Sequence, residues 1–386
     1  MKDGYFISVR IYIPDADAFG LDVEPFHYSD EDLTTGTKHW DDKEYDLSEF
    51  DKLLRGKWDK CMKDGFFRYH LDKVETKIIP GEKKYVAQLN VKRATERRKP
   101  QEIITVNQPF DENLFNFSRI KSNEVLFLLD KKTKSPPDTP KVEEAMCNGT
   151  KDEEPQNLVI INVSPLEYGH VLLVPDVYSF RPQMLTEYSI QLAIETLLLS
   201  RHQGFRIGFN SLCAFASVNH QHLHAYYLEQ ELFVESCPVK HLKGILYELE
   251  VMPTKGFVFQ LHGSTVEDVS RVVYLVADYM QRSEIAHNLF MTRGTVFGED
   301  RTSRNRTIRL FLWPRKKFIG VKEEACFNVA VVELAGHLPI KIAEMYEGLT
   351  EETVNDTIRS AQLDEAEYQT VKDNVLQLYK PTCSSS

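Results

Sequence analysis

Apolar positions along this chain recur at two periods, helical spacing in a few long stretches and short strand-like runs between them. From Ser48 to Met62, Phe50, Leu53, Leu54, Trp58 and Cys61 share one helical face, and Ser48 with Asp51 forms an N-cap pair. Strand-like runs follow at Phe66 to Asn90, Ile103 to Phe110 and Glu124 to Leu129, interrupted by Pro80-Gly81 and Pro109. Leu158 to Val163 and His170 to Val174 flank a turn at Ser164 to Gly169, which predicts antiparallel neighbours. Gln183 to Leu199 predicts a helix with Gly204 as a stop signal, and Phe205 to Asn210 and Ser217 to Leu228 predict two more strands.

A similar order returns after Pro253. Gly256 to Leu261 reads as a strand, and Ser264 to Glu267 as the capping box of a helix apolar at 266, 269, 272, 273, 276 and 280. Ile285 to Met291 and Thr307 to Pro314 read as strands, and helices around Lys322 to Ala335 and Glu351 to Tyr379 complete the pattern. Antiparallel strands with segregated helices predict an α+β fold of two similar halves. The division expected is an N-terminal arm and helix at 1–62, one half at 63–235 and a second at 236–380. Within the first half, residues 131–156 are rich in Pro, Lys, Glu and Thr and too poor in apolar residues to offset their ordering entropy, which predicts a mobile insertion.

Composition narrows the function classes. A hydrophobic fraction of 42% and a charged fraction of 27% are those of a globular protein, and no apolar run reaches the roughly 20 residues that span a bilayer. The start of the chain, broken by Asp3, Arg10, Asp15 and Asp17, lacks the apolar core of a signal peptide, so a cytoplasmic location without a membrane partner is expected. Six scattered cysteines without a C-x-x-C pair fit reduced thiols. A net charge of −11 argues against nucleic-acid partners. The basic clusters at Lys92 to Lys99 and Arg301 to Arg309 read as solvated loop or strand edge.

The chemistry concentrates at His220-Gln221-His222-Leu223-His224, where alternation along a strand puts three imidazoles on one face. Three uses compete. A metal held by all three is disfavoured, because His220 and His224 stand roughly 13 Å apart on a straight strand whereas ligand bonds are about 2 Å; a two-histidine site stays open. Nucleophilic catalysis suits the middle imidazole, with a donor on each side. A surface strand carrying polar residues outward is the third reading.

This row, preceded by Asn162-Val163-Ser164-Pro165 and Gly169-His170-Val171-Leu172-Leu173-Val174-Pro175, resembles the histidine-triad superfamily of nucleotide-binding hydrolases and transferases. The segments Phe67-Arg68-Tyr69, Val86 to Asn90, Gln108 to Asp111, Phe115-Asn116-Phe117 and Glu124 to Phe127 look more closely like the GDP-sugar phosphorylases. The resemblance implies two histidine-triad-like halves, with only the first keeping the row. It implies GDP-D-glucose and inorganic phosphate as substrates, no cofactor or metal, control of GDP-glucose levels, and leaves room for a homodimer. His222 would carry GMP as a covalent intermediate, with His220 and His224 in support and Asn162, Asn210, Ser217 and His170 toward the substrate. In many sugar-nucleotide transferases the third position of the row is Gln, whereas here His224 stands as in the hydrolases. A histidine there can serve as acid or base toward water, so a nucleotide hydrolase is the alternative reading, and a nucleotide sensor without turnover is a third.

Overall fold

The computed structural model describes residues 23, 25–35, 40, 46–72, 74–96, 100–132, 155–319 and 327–378. The chain runs β1 (Pro25–Tyr28), α1 (Glu49–Lys63), β2 (Glu75–Ile78), β3 (Val86–Leu89), α2 (Lys92–Thr95), β4 (Val125–Lys131), β5 (Asn157–Ile161), β6 (Val171–Val174), α3 (Glu187–Leu199), β7 (Phe205–Asn210) and β8 (Leu223–Tyr227). It continues through β9 (Lys240–Lys243), β10 (Leu246–Leu249), β11 (Gly256–Gln260), α4 (Val266–Arg282), β12 (Ala286–Thr295), β13 (Arg306–Arg315), α5 (Val331–Leu334), β14 (His337–Ile340), α6 (Ala343–Glu347), α7 (Glu351–Arg359) and α8 (Glu365–Leu378).

Among the described residues, eleven strands form one sheet in the order β1-β4-β5-β6-β8-β7-β12-β13-β11-β10-β9, and β14-β3-β2 form a second. The α+β class with two sheet-and-helix halves therefore holds, and the halves are fused edge to edge. Neighbours in the large sheet are antiparallel except β1 and β4. Its middle is a mirrored repeat: β6-α3-β7-β8 and β11-α4-β12-β13 run in the same chain order and meet where β7 pairs with β12.

Alternation along the strands feeds two cores. On β13, Ile308, Leu310 and Leu312 face the layer of α1, α3, α4 and α8, while Phe311 and Trp313 face the layer of α5, α7 and the small sheet. On β8, Leu223, Ala225 and Tyr227 join the first layer, so His224 shares the opposite face with Tyr226. Gly208, directly opposite His224 in the β7–β8 ladder, lets α5 approach: a Cβ there would stand 2.8 Å from Val331 Cγ1.

Several expectations are corrected. Only Leu223–Tyr227 of the run Ser217 to Leu228 is strand, so His220 lies in a bend, His222 just before β8, and of the three only His224 is on it. Ile103 to Phe110 forms no strand, because its backbone is tied to side chains: Asn219 Nδ2 donates to the carbonyls of Gln108 and Pro109, and Gln108 Oε1 accepts from Ile104 N. Phe66 to Asn90 contributes only β2 and β3. The cap of α4 is Thr265, whose Oγ1 accepts from Asp268 N, one residue beyond the Ser264 expected. The run 351–379 breaks into α7 and α8 because Asp364 and Glu367 exchange side-chain bonds with each other's amides and start a new helix. Within the described part of Lys322 to Ala335, α5 is the helix, while 320–326 lie outside the described residues, as do 133–154 of the insertion and the N-terminal arm before Val23. Two buried arginines also depart from the solvated reading of the basic clusters: Arg309 donates to the carbonyls of Thr295, Val234 and Cys237, and Arg306 is 8% exposed.

Candidate active site

The approach to β8 is held by two polar side chains that ordinary periodicity does not reveal. Buried Gln183 accepts from His222 N at 2.9 Å and donates to the carbonyls of His222 at 3.0 Å and Asn210 at 2.9 Å. Asn219 accepts from Gln183 N and fixes the 100–110 loop. Periodicity predicts a helix from Gln183, but α3 begins at Glu187, capped by Thr186, which frees Gln183 for this clamp.

The clamp sets the ring geometry. His222 Nδ1 is 2.7 Å from the His220 carbonyl, which can only accept, so the ring proton sits on Nδ1 and Nε2 keeps its lone pair. His220 supports its neighbour through that carbonyl. Its own ring is stacked between Phe117 and Phe180, and its Nδ1 accepts from Phe117 N at 3.0 Å. His220 thus anchors the Phe117 wall, where the sequence put it on a common face with His222.

A second chain of bonds fixes His224. Leu166 N donates to His170 Nδ1 at 2.9 Å, so His170 carries its proton on Nε2 and donates it to His224 Nδ1 at 3.0 Å. The proton of neutral His224 then sits on Nε2, the nitrogen turned away from His170. His170 is wholly buried, and desolvation followed by the nearby His224 holds it well below the ordinary histidine range. Asn162 Nδ2 lies 3.3 Å from His170 Nε2, and its Oδ1 accepts from Ser164 N.

Burial pushes His220, His222 and His287 down from 6.5 to about 4. Their folded-state values lie below the unfolded one, so the unfolded chain binds the extra protons between about pH 6.5 and about pH 4. Stability is therefore full above that window and falls through it on acidification, by about 1.4 kcal/mol per pH unit for each histidine. Urea midpoints measured from pH 7.5 to pH 5 are expected to drop steeply below pH 6.5; a flat profile would contradict the buried, neutral state of these rings.

Two half-open clefts meet at His224. The first has a cavity volume of about 110 Å³; Phe115, Phe117, Ile160, Leu172 and Val218 make its wall apolar, and His222, Asn162 and Ser217 are its polar rim. The second, of about 90 Å³, carries Asn210, Asn328, Glu333 and Lys341 among its lining residues. Arg93, Ser217 and His224 line both. The structure thus brings together His222, His224, Asn162 and Ser217 on the first cleft, with His170 behind His224. It places Asn210 on the second, where Oδ1 accepts from Asn288 Nδ2 and Val331 N. Arg93, part of a basic cluster that the sequence predicts to be solvated, donates to the Ser164 carbonyl and lies between the clefts. Among the described residues, no group of three or more His, Cys, Asp or Glu is arranged to hold a metal. No helix among them is long and apolar enough to cross a membrane.

Two family models match consecutive stretches, "GDPGP1-like, N-terminal domain" over residues 49–226 and "GDPGP1-like, C-terminal domain" over residues 229–381. The chain belongs to the GDPGP1-like family. This GDPGP1-like chain is similar to the GDP-D-glucose phosphorylase 1 of Danio rerio, at 44% identity over 359 residues that cover 92% of this chain and 98% of the relative. It is 40% identical to the GDP-D-glucose phosphorylase 1 of Xenopus laevis, covering 90% and 94%. A more distant relative is the GDP-L-galactose phosphorylase 1 of Arabidopsis thaliana, at 32% identity covering 83% and 72%. Among solved structures, the yeast Ap4A phosphorylase Apa2 in complex with Ap4A superposes with a TM-score of 0.54 at 14% identity, covering 82% of this chain and 99% of that one, a likeness of fold.

Proposed function

We propose that this GDPGP1-like chain is a GDP-D-glucose phosphorylase, converting GDP-glucose and phosphate to GDP and glucose 1-phosphate by double displacement at His222. The substrate follows the name shared by the vertebrate relatives. The observation that carries the reaction type is the tautomer of His222: Nδ1 is tied to the His220 carbonyl, and Nε2 has a lone pair at the edge of an apolar cleft. In the first step Nε2 attacks the α-phosphorus, a P–N bond forms, and the bond from that phosphorus to the bridging oxygen breaks, releasing glucose 1-phosphate. In the second, an oxygen of inorganic phosphate attacks the same phosphorus, the P–N bond breaks, and GDP leaves.

The surrounding groups have matching work. The aromatic and aliphatic wall suits a purine, and Asn162 beside it suits the ribose hydroxyls. Arg93, between the clefts, is placed for the phosphates, where charge spreads in the transition state. His224, with its proton on Nε2, can donate a hydrogen bond to the bridging oxygen as negative charge grows on it. Water in place of phosphate at the second step would make hydrolysis of the GMP-enzyme the second reading.

The test is intact-mass spectrometry after brief mixing with GDP-glucose, with and without phosphate. Expected is a GMP adduct on His222 that phosphate discharges as GDP. Discharge as GMP at a rate indifferent to phosphate would replace phosphorolysis by hydrolysis, and binding without any adduct would leave only a sensor.

A further inference from the structure

The half without a histidine row has no part in the chemistry above, yet it closes the second cleft. The short α5 packs onto β7 next to His224, through the gap that Gly208 leaves, and the Asn210 amide oxygen pins it by accepting from Val331 N at 2.9 Å. From that position Glu333 reaches the cleft although it is only 7% exposed, and Asn328 and Lys341 come in from either side. Glu333 Oε2 accepts from Ala330 N at 3.0 Å.

We infer that the second cleft takes the hexose of the nucleotide sugar, and that Glu333, Asn328 and Lys341, all from the second half, read its hydroxyls. This rests on the GDP-sugar reading above. Three observations support it. The aromatic and aliphatic wall that suits the base belongs to the first cleft, whereas the second adds to its lining a carboxyl, an amide and an amine, the groups that hydrogen-bond a polyol. His222 lines only the first cleft while His224 and Arg93 line both, so a phosphate between them would be attacked from one side and release its sugar phosphate toward the other. A buried carboxyl among the lining groups disfavours a site for inorganic phosphate alone. Desolvation pushes Glu333 up to about 7, and the Lys341 and Arg93 charges pull against it, so near neutrality this carboxyl both donates and accepts.

The experiment uses the full chain carrying Glu333→Gln, and separately Lys341→Gln on the less buried side. First, kcat/KM is measured for GDP-D-glucose, GDP-D-mannose and GDP-L-galactose; second, the rate at which phosphate discharges enzyme preloaded with GMP. Expected is a loss of tenfold or more on GDP-D-glucose with a changed ranking of the three sugars, and a discharge rate within threefold of the parent, because no hexose is present in that step. An equal fall on all three sugars, or a discharge rate that falls in step, would overturn the assignment. Binding separates this from the catalytic reading. If the parent forms no GMP adduct, calorimetry must still show GDP-glucose binding tighter than GDP, with that margin lost in either variant. Equal margins in parent and variants would overturn the inference whatever the chemistry.

Discussion

Replacing His222 by Gln is expected to remove turnover of GDP-glucose by about 10³-fold or more, and with it the covalent GMP adduct. The size follows from the role: the attacking nitrogen is the one group whose bond to phosphorus forms and breaks, and three powers of ten correspond to about 4 kcal/mol of lost transition-state stabilisation. Gln keeps the backbone bonds to Gln183, since those use His222 N and O. What the fold loses is the Nδ1 bond to the His220 carbonyl and the ring's contacts with Phe117 and His224. That loss is about 1–2 kcal/mol, small enough for a folded variant. Steady-state rates, intact mass and a thermal melt check the three parts together. Turnover within tenfold of the parent, in a variant that melts normally, would remove His222 from the mechanism.

The same residue shows how far the sequence could be read. The His220-Gln221-His222-Leu223-His224 spacing located the site because alternation is a local property, and Leu223 and His224 do take opposite faces of β8. Spacing carries no information on ring environment, and there the three histidines diverge: His220 is enclosed by Phe117 and Phe180, which come from two separate segments far earlier in the chain. The helix α1, with Ser48 accepting from Asp51 N, and the pair β5 and β6 around the Ser164–Gly169 turn were legible for the same local reason. The loop at 103–110 was not, since its apolar run mimics a strand and only Asn219 and Gln108 decide otherwise. Arg93 and Glu333 were invisible: a basic cluster and a helix look solvated until tertiary contacts bring them beside His224. The mirrored order of β6-α3-β7-β8 and β11-α4-β12-β13 was legible as repeated pattern, but the shared β7–β12 edge that makes the second half a neighbour of the site was not.

Gln183→Leu is expected to be the most damaging change outside the reacting groups. Leu fills nearly the same space, so the effect isolates hydrogen bonding. It leaves His222 N, His222 O and Asn210 O facing an apolar side chain in a buried setting. Each stranded group costs about 1–3 kcal/mol, so a total of about 3–5 kcal/mol is expected after partial relaxation, most of the stability of a marginal domain. Catalysis should suffer beyond the folded fraction. A shift of His222 by about 1 Å can cost about 10²-fold in rate, because the lone pair no longer meets the phosphorus in line. The affinity for GDP should change little, since the apolar wall of Phe117, Ile160 and Leu172 is untouched. Urea unfolding gives the first number. The second comes from single-turnover formation of the GMP adduct at saturating GDP-glucose, at a low temperature where the variant is folded. A destabilised variant whose adduct forms at the parent's rate would make Gln183 a purely structural clamp. A slow adduct with unchanged GDP affinity would show that the clamp aims the nucleophile.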